Sequence, residues 1–211
     1  MYIAIEGVIG VGKTTLARLL QPSFQSDLLM EIFEENPFLS DFYSDRQRYA
    51  FQTQIFFLLS RYHQQRNGVK EALVKNPWLI SDYTFEKDRI FAVINLQGDE
   101  LDVYYNLHEA LSEKIHKPDL IVYLRADTRV LMQRIAQRDR SYERQMELAY
   151  IETLNQTYDT RFANKSGQNI LTIDTNQLDF VRHDEDLAFV DRQIRQALKM
   201  APFQEHLPIN L

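Results

Sequence analysis

Near the start of the chain, Gly7-Val8-Ile9-Gly10-Val11-Gly12-Lys13-Thr14 follows the spacing G-x-x-x-x-G-K-[ST]. The apolar run Tyr2-Ile3-Ala4-Ile5-Glu6 ahead of it reads as a buried strand, and Thr15-Leu16-Ala17-Arg18-Leu19-Leu20 behind it carries apolar residues at helical spacing. A strand, a glycine-rich turn and a helix start gather backbone N–H groups into a nest at the positive end of a helix, which suits nucleoside triphosphate phosphates. Gly7, Gly10 and Gly12 shape this nest, and Thr15 belongs to the same phosphate-facing turn. Lys13 is expected to reach the β- and γ-phosphates, with the Thr14 hydroxyl on Mg²⁺. A glycine-rich turn that matched by chance would lack these flanking elements, so the loop predicts binding of ATP or GTP.

A second set of groups is acidic. Glu34-Glu35-Asn36-Pro37 follows an expected strand, where a carboxylate can accept a proton from a hydroxyl being phosphorylated. The competing reading is a solvated acidic turn. Asp82 ends another expected strand, where proteins with this loop place an acid that supports the metal. On the helical stretch 47–66, Gln54, Phe57 and Arg61 are spaced i, i+3, i+7 and share one side, whereas Gln52 lies about 200° from Gln54. An amide, an aromatic ring and a guanidinium suit a nucleobase, although an exposed Gln54 and a core Phe57 would give the same pattern. Finally, Arg134, Arg138 and Arg140 precede Glu143 in a basic stretch that reads as a phosphate clamp closing as a lid over about 134–145; a helix face paired with Asp139 and Glu143 is the plainer alternative.

These groups need a scaffold. Expected strands at Tyr2–Glu6, Leu28–Phe33, Trp78–Ser81, Leu120–Leu124 and Ile170–Ile173 alternate with helical patterns at about 14–21, 47–74, 86–96, 100–115, 128–138, 144–163 and 184–199. That alternation predicts an α/β domain: a five-stranded parallel sheet in a three-layer α/β/α sandwich, with a ligand crevice at the strand C-termini. At 211 residues, with no repeat or Gly/Ser/Pro-rich linker, the chain reads as one domain, 1–211. The residues from Ala201 to Leu211 read as an irregular tail. The absence of cysteine excludes disulfides and thiolate chemistry and fits the cytoplasm. With 24 Lys+Arg against 30 Asp+Glu, nucleic acid is not an expected partner, and neither a basic leader nor a membrane-spanning run is apparent.

At these residues the chain resembles the deoxyribonucleoside kinase family, and particularly its bacterial deoxyadenosine/deoxyguanosine kinase branch. The resemblance spans nearly the whole chain. It rests on Ile5-Glu6-Gly7, Glu35-Asn36-Pro37-Phe38-Leu39, Phe42-Tyr43, Phe51 to Arg61, Asp82 to Asp88, Arg134 to Glu143, and Leu171-Thr172-Ile173-Asp174. It implies Glu35 as general base toward a deoxyribose 5′-hydroxyl, and Tyr43 and Glu143 on the 3′-hydroxyl. Gln54, Arg61 and Asp88 would take the base. Asp82 and Thr14 would support Mg²⁺; Arg134, Arg138 and Arg140 would serve as lid arginines, and the Asp174 to Asn176 loop would lie on the adenine of ATP. It further implies a homodimer built on long helices such as 47–74 and 100–115. One departure stands out: the family's arginine after the acid is Tyr83 here, and its serine is Thr84. Arg89 or a lid arginine is the expected substitute.

The resulting expectation is an ATP-dependent deoxynucleoside kinase, with deoxyadenosine first and deoxyguanosine or deoxycytidine as alternatives. A nucleoside monophosphate kinase shares the loop and lid but needs cations for the acceptor's own phosphate. A non-catalytic binding subunit of the same fold is the remaining alternative. A GTPase is disfavoured because no N/T-K-x-D motif is present.

Overall fold

The computed structural model describes residues 1–32, 35–144, 146–162 and 169–201. Strands β1 (Tyr2–Gly7), β2 (Asp27–Leu29), β3 (Leu79–Ser81), β4 (Leu120–Arg125) and β5 (Ile170–Asp174) form one parallel sheet in the order β2-β3-β1-β4-β5. Parallel neighbours need long crossovers, and helices supply them. These are α1 (Lys13–Phe24), α2 (Leu39–Ser44), α3 (Arg46–Lys75), α4 (Glu86–Asn95), α5 (Gly98–Ser112), α6 (Thr128–Arg138) and α7 (Leu148–Phe162); α8 (Asp184–Ala197) follows β5.

β1 is the centre of the sheet, and all six of its residues are buried. Because strand side chains alternate between faces, Ile3 and Ile5 pack in one cluster with Leu16 and Leu20 of α1, while Tyr2 and Ala4 pack with Val69 of α3 and Leu79 of β3. The sheet is thus covered on both faces, which makes the three-layer sandwich, and the C-terminal ends of all its strands lie along one edge. No helix among the described residues is long and apolar enough to cross a membrane.

Departures from the expected elements have local causes. The second strand was expected to run to Phe33 but ends at Leu29. Its partner β3 ends at Ser81, so no strand remains for the next residues to pair with. Instead the Met30 carbonyl accepts from Gln64 Nε2 (2.7 Å), and the Glu31 N–H donates to Asp82 Oδ1 (2.8 Å). Phe33 and Glu34 lie outside the described residues. The short α2 was not expected; Asn36 Oδ1 accepts the Phe38 N–H ahead of it, at 3.0 Å. Asp45 then caps α3 by accepting from the Arg48 N–H at 3.2 Å. The helical stretch expected from 144 begins at Leu148, after a 3₁₀ turn at Ser141–Glu143. The tail beyond Ala201 lies outside the described residues.

Gly7 ties the loop to the sheet. Its φ of +147° is accessible essentially to glycine alone, and a Cβ there would sit 2.4 Å from the Leu124 carbonyl oxygen of β4. Gly7→Ala is therefore expected to lower the unfolding free energy by about 1–3 kcal/mol or more. Urea denaturation checks this, and an unchanged midpoint contradicts it.

Candidate active site

A cavity of about 280 Å³ opens at the C-terminal edge of the sheet, and the glycine-rich loop forms one wall. Gly12 takes the left-handed region (φ +103°) at the start of α1, whose first turn has no side-chain cap. Its N–H groups are therefore left for a ligand. Lys13 Nζ donates to the carbonyls of Gly7 (2.6 Å) and Val8 (3.1 Å). Burial, and secondarily the Lys87 cation, lower the Lys13 pKa to about 8, a strain that an arriving phosphate would relieve.

Asp82, buried at the end of β3, joins this wall to the next: Oδ2 accepts the Thr14 hydroxyl at 2.5 Å and Oδ1 accepts the Glu31 N–H at 2.8 Å. A hydroxyl and a carboxylate meeting beside the phosphate loop are hard oxygen donors of the kind Mg²⁺ takes together with phosphate and water. The donor set fits that ion. Glu6 is fully buried behind the loop, and desolvation raises its pKa. It accepts from the Gly7 N–H (3.1 Å), the Thr84 N–H (2.6 Å) and the Thr84 hydroxyl (2.9 Å). Thr84 is thereby committed to holding the loop.

The opposite wall is organised by Glu31, which the sequence reading missed. Its Oε1 accepts from Arg61 Nε (3.1 Å) and from an Arg61 terminal nitrogen, and its Oε2 accepts from Lys87 Nζ at 2.5 Å. Burial pushes the Glu31 carboxyl up, but the Lys87 and Arg61 cations outweigh it and hold the group well below the usual carboxylate range. Arg61 also pairs with the fully buried Asp88 and stacks 4.5 Å above the Phe57 ring. Gln54 is buried on the same side of α3, whereas Gln52 is exposed. Gln54 Oε1 and Asp88 Oδ2 are buried acceptors with no hydrogen-bond partner among the described residues. Such atoms ask for a donor from a ligand.

Glu143 is buried at the end of the 3₁₀ turn, where Arg138 donates to both its oxygens (2.7 and 2.6 Å) and Arg140 lies 3.7 Å away. Tyr43 of α2 stacks on Tyr142 with ring centroids 5.9 Å apart. Tyr43, Arg138, Arg140 and Glu143 all line the cavity.

Other expected residues fall elsewhere. Glu35 is exposed and does not line the cavity. Because β2 stops four residues earlier than expected, the carboxylate delivered to the crevice is that of Glu31. Arg134 is turned away from the crevice and bonds Thr175 Oγ1 (3.1 Å), the Thr175 carbonyl (2.7 Å) and the Leu178 carbonyl (3.2 Å), fastening α6 to the loop after β5. Asp174 ends β5 and Asn176 lies in that loop: Asp174 Oδ1 accepts the Asn176 N–H (2.9 Å), and Asn176 Oδ1 accepts the Asp127 N–H (2.8 Å) before α6. Tyr83 is buried and donates its hydroxyl to Gln64 Oε1 of α3. Arg89, one candidate for the missing arginine, is exposed, with its guanidinium 5.2 Å from the centre of the Tyr105 ring. A cation that does line the crevice is Lys87, in the first turn of α4 one residue before Asp88.

A phosphate loop, a metal-suited oxygen pair and a polar pocket on one sheet edge define a nucleoside-kinase type of phosphotransferase. Comparison with known proteins agrees. The family model described as deoxynucleoside kinase matches residues 3–199, and the chain belongs to that family. It is 33% identical over 201 residues to a deoxyguanosine kinase of Bacillus subtilis, covering 93% of this chain and 97% of the relative. It is 35% identical over 185 residues to a deoxyadenosine kinase of Dictyostelium discoideum, covering 85% and 74%. A deoxyadenosine kinase of M. mycoides solved with bound dCTP superposes with a TM-score of 0.79 at 27% identity, covering 93% of this chain and all of that one.

The geometry separates the two helix-α6 arginines. Arg134→Ala is expected to lower the unfolding free energy by about 1–3 kcal/mol, through orphaned loop carbonyls, while retaining most turnover. Arg138→Ala should instead lower turnover sharply, and the urea midpoint with it, because among the described residues it leaves the buried Glu143 carboxylate with only the Arg140 guanidinium, 3.7 Å away. Parallel unfolding and rate measurements decide, and the reverse pattern contradicts the assignment.

Proposed function

We propose that the crevice transfers the γ-phosphoryl group of ATP to the 5′-hydroxyl of a deoxynucleoside, with Glu31 as the group that orients and deprotonates that hydroxyl. The observation carrying this reading is the Glu31 carboxylate, fixed at both oxygens by Arg61 and Lys87 on a residue whose backbone N–H is bonded to Asp82, in the cavity that the glycine-rich loop, Gln54 and Phe57 also line. Phosphoryl transfer depends on positioning and on charge neutralisation more than on a strong base. A carboxylate held ionised by flanking cations suits an orienting acceptor that takes the proton late. Thr14 and Asp82 would hold Mg²⁺, which neutralises charge between the β- and γ-phosphates, while Lys13, Arg138 and Arg140 supply the protein's own positive charge around the phosphates.

Arg61 and Lys87 are each already paired with carboxylates. A neutral hydroxyl acceptor therefore suits this wall better than the charged phosphate of a monophosphate. Tyr43 and Glu143 would take the 3′-hydroxyl, and Phe57 would lie against the base. The unsatisfied acceptors on Gln54 and Asp88 suit a base that presents an exocyclic amino group, which supports deoxyadenosine first, then deoxyguanosine and deoxycytidine. Both purines appear in the names of the relatives. A cytoplasmic homodimer is part of the same proposal; Leu59 of α3 and Val103 of α5, exposed on those helices, support it, and a monomer by sedimentation equilibrium would remove that part.

Glu31→Gln is expected to reduce turnover on the order of 10²–10⁴-fold, whereas Glu35→Gln retains most of it. A coupled assay checks both, and the reverse order reinstates Glu35. Chelating divalent cations with EDTA should abolish turnover, and added Mg²⁺ should restore it. Asp88→Ala should reduce the preference for deoxyadenosine over thymidine by on the order of 10-fold or more, since an unpaired buried acceptor is what discriminates; equal losses for all nucleosides sink that role.

A further inference from the structure

We infer that Lys87 is a positioning residue for phosphoryl transfer, holding the Glu31 carboxylate at the seam between the nucleotide wall and the acceptor wall. The inference rests on the phosphotransfer reading above. Lys87 is 8% exposed, yet it is an ammonium on the first turn of α4, and burying such a group without function costs several kcal/mol. Its Nζ lies 2.5 Å from Glu31 Oε2 and 5.8 Å from the centre of the Phe91 ring, and both residues line the cavity.

Arg61 alone does not fix Glu31. Its Nε and one terminal nitrogen both converge on Oε1, and its remaining terminal nitrogen is committed to Asp88. With Oε1 held and Oε2 unheld, the carboxylate plane can rotate; Lys87 supplies the second point of attachment. Lys87 also stands within electrostatic reach of Lys13 and of Glu6 behind the loop. Lys13 and Lys87 both line the cavity that Glu31 lines.

The location also accounts for the departure at Tyr83. That side chain is buried against Gln64 and does not line the cavity. Lys87 lies four residues further along, in the first turn of α4, and brings a cation to the crevice. Lysine is a compact point charge whereas arginine is a fork, and the single contact at Oε2 is of the kind a point charge makes.

The test is a set of variants assayed with saturating Mg²⁺–ATP and varied deoxynucleoside, and then the converse. Lys87→Met is expected to lower kcat on the order of 10²-fold, the scale of a misplaced reacting group, with the KM for ATP within about threefold of wild type. Lys87→Arg should regain at least about a tenth of wild-type kcat, because it restores the charge. The double variant Glu31→Gln with Lys87→Met removes both members of the pair, so neither is left buried and alone. It should be no slower than Glu31→Gln by itself, within about threefold, since Lys87 acts through Glu31. A Lys87→Met enzyme with wild-type kcat overturns the inference, as does an arginine variant no faster than the methionine one. Fully multiplicative losses in the double variant also overturn it. Wild-type protein that phosphorylates no deoxynucleoside removes the underlying reading instead, and the two failures are thereby distinguished.

Discussion

Carboxylates buried at one edge of a sheet must each find donors, and that requirement organises this molecule. Glu6, Asp82 and Asp88 are almost fully inaccessible, and Glu31 is nearly so. Isolated ions in such surroundings cost many kcal/mol, so each is paired or hydrogen-bonded. Glu6 draws in the loop and Thr84; Asp82 ties Thr14 to the backbone after β2; Asp88 and Glu31 share Arg61, and Lys87 completes Glu31. The result is a run of contacts from the glycine-rich loop to the Arg61 wall of the cavity. Displacement of any member leaves another unpaired, which is how side chains from β1, α1, α3, α4 and the segments after β2 and β3 are held to a common geometry.

The network also explains why so much charge is useful rather than merely tolerated. A preorganised site does not reorganise when charge moves, and in surroundings that exclude water each contact is stronger than in bulk solvent. Lys13 rests on carbonyls of its own loop with a lowered pKa, so it is set to exchange those contacts for phosphate oxygens. Glu31 keeps its charge because two cations face it. On the α3 side, Gln54 Oε1, which lines the cavity, and Asp88 Oδ2, buried behind Arg61, lack donors among the described residues.

Much of this was legible in the sequence because it is local. The phosphate loop is a run of adjacent residues whose glycines and lysine have fixed offsets, and the 3.6-residue period placed Gln54, Phe57 and Arg61 on one face of α3 with Gln52 opposite. What was not legible depends on where pairing between distant segments stops. Leu28 to Phe33 is uniformly apolar but for Glu31, so periodicity read the carboxylate as part of a strand; the short partner β3 ends the pairing at Leu29 and frees Glu31 for the crevice. The same shift of register leaves Glu35 outside the cavity. Arg134 was grouped with Arg138 because they are four residues apart, but the loop after β5 offers carbonyls that capture the first of them. Lys87 gave no signal of its own, since a lysine in the first turn of a helix is ordinary until Glu31 is seen beside it.

The most direct test of the account is to incubate the protein with Mg²⁺–ATP and each of the four deoxynucleosides separately, and to identify the phosphorylated product by ³¹P NMR. The account predicts a 5′-monophosphate from deoxyadenosine, deoxyguanosine or deoxycytidine, with thymidine the poorest acceptor. Transfer only to nucleoside monophosphates, or ATP consumption with no phosphorylated nucleoside, would contradict it.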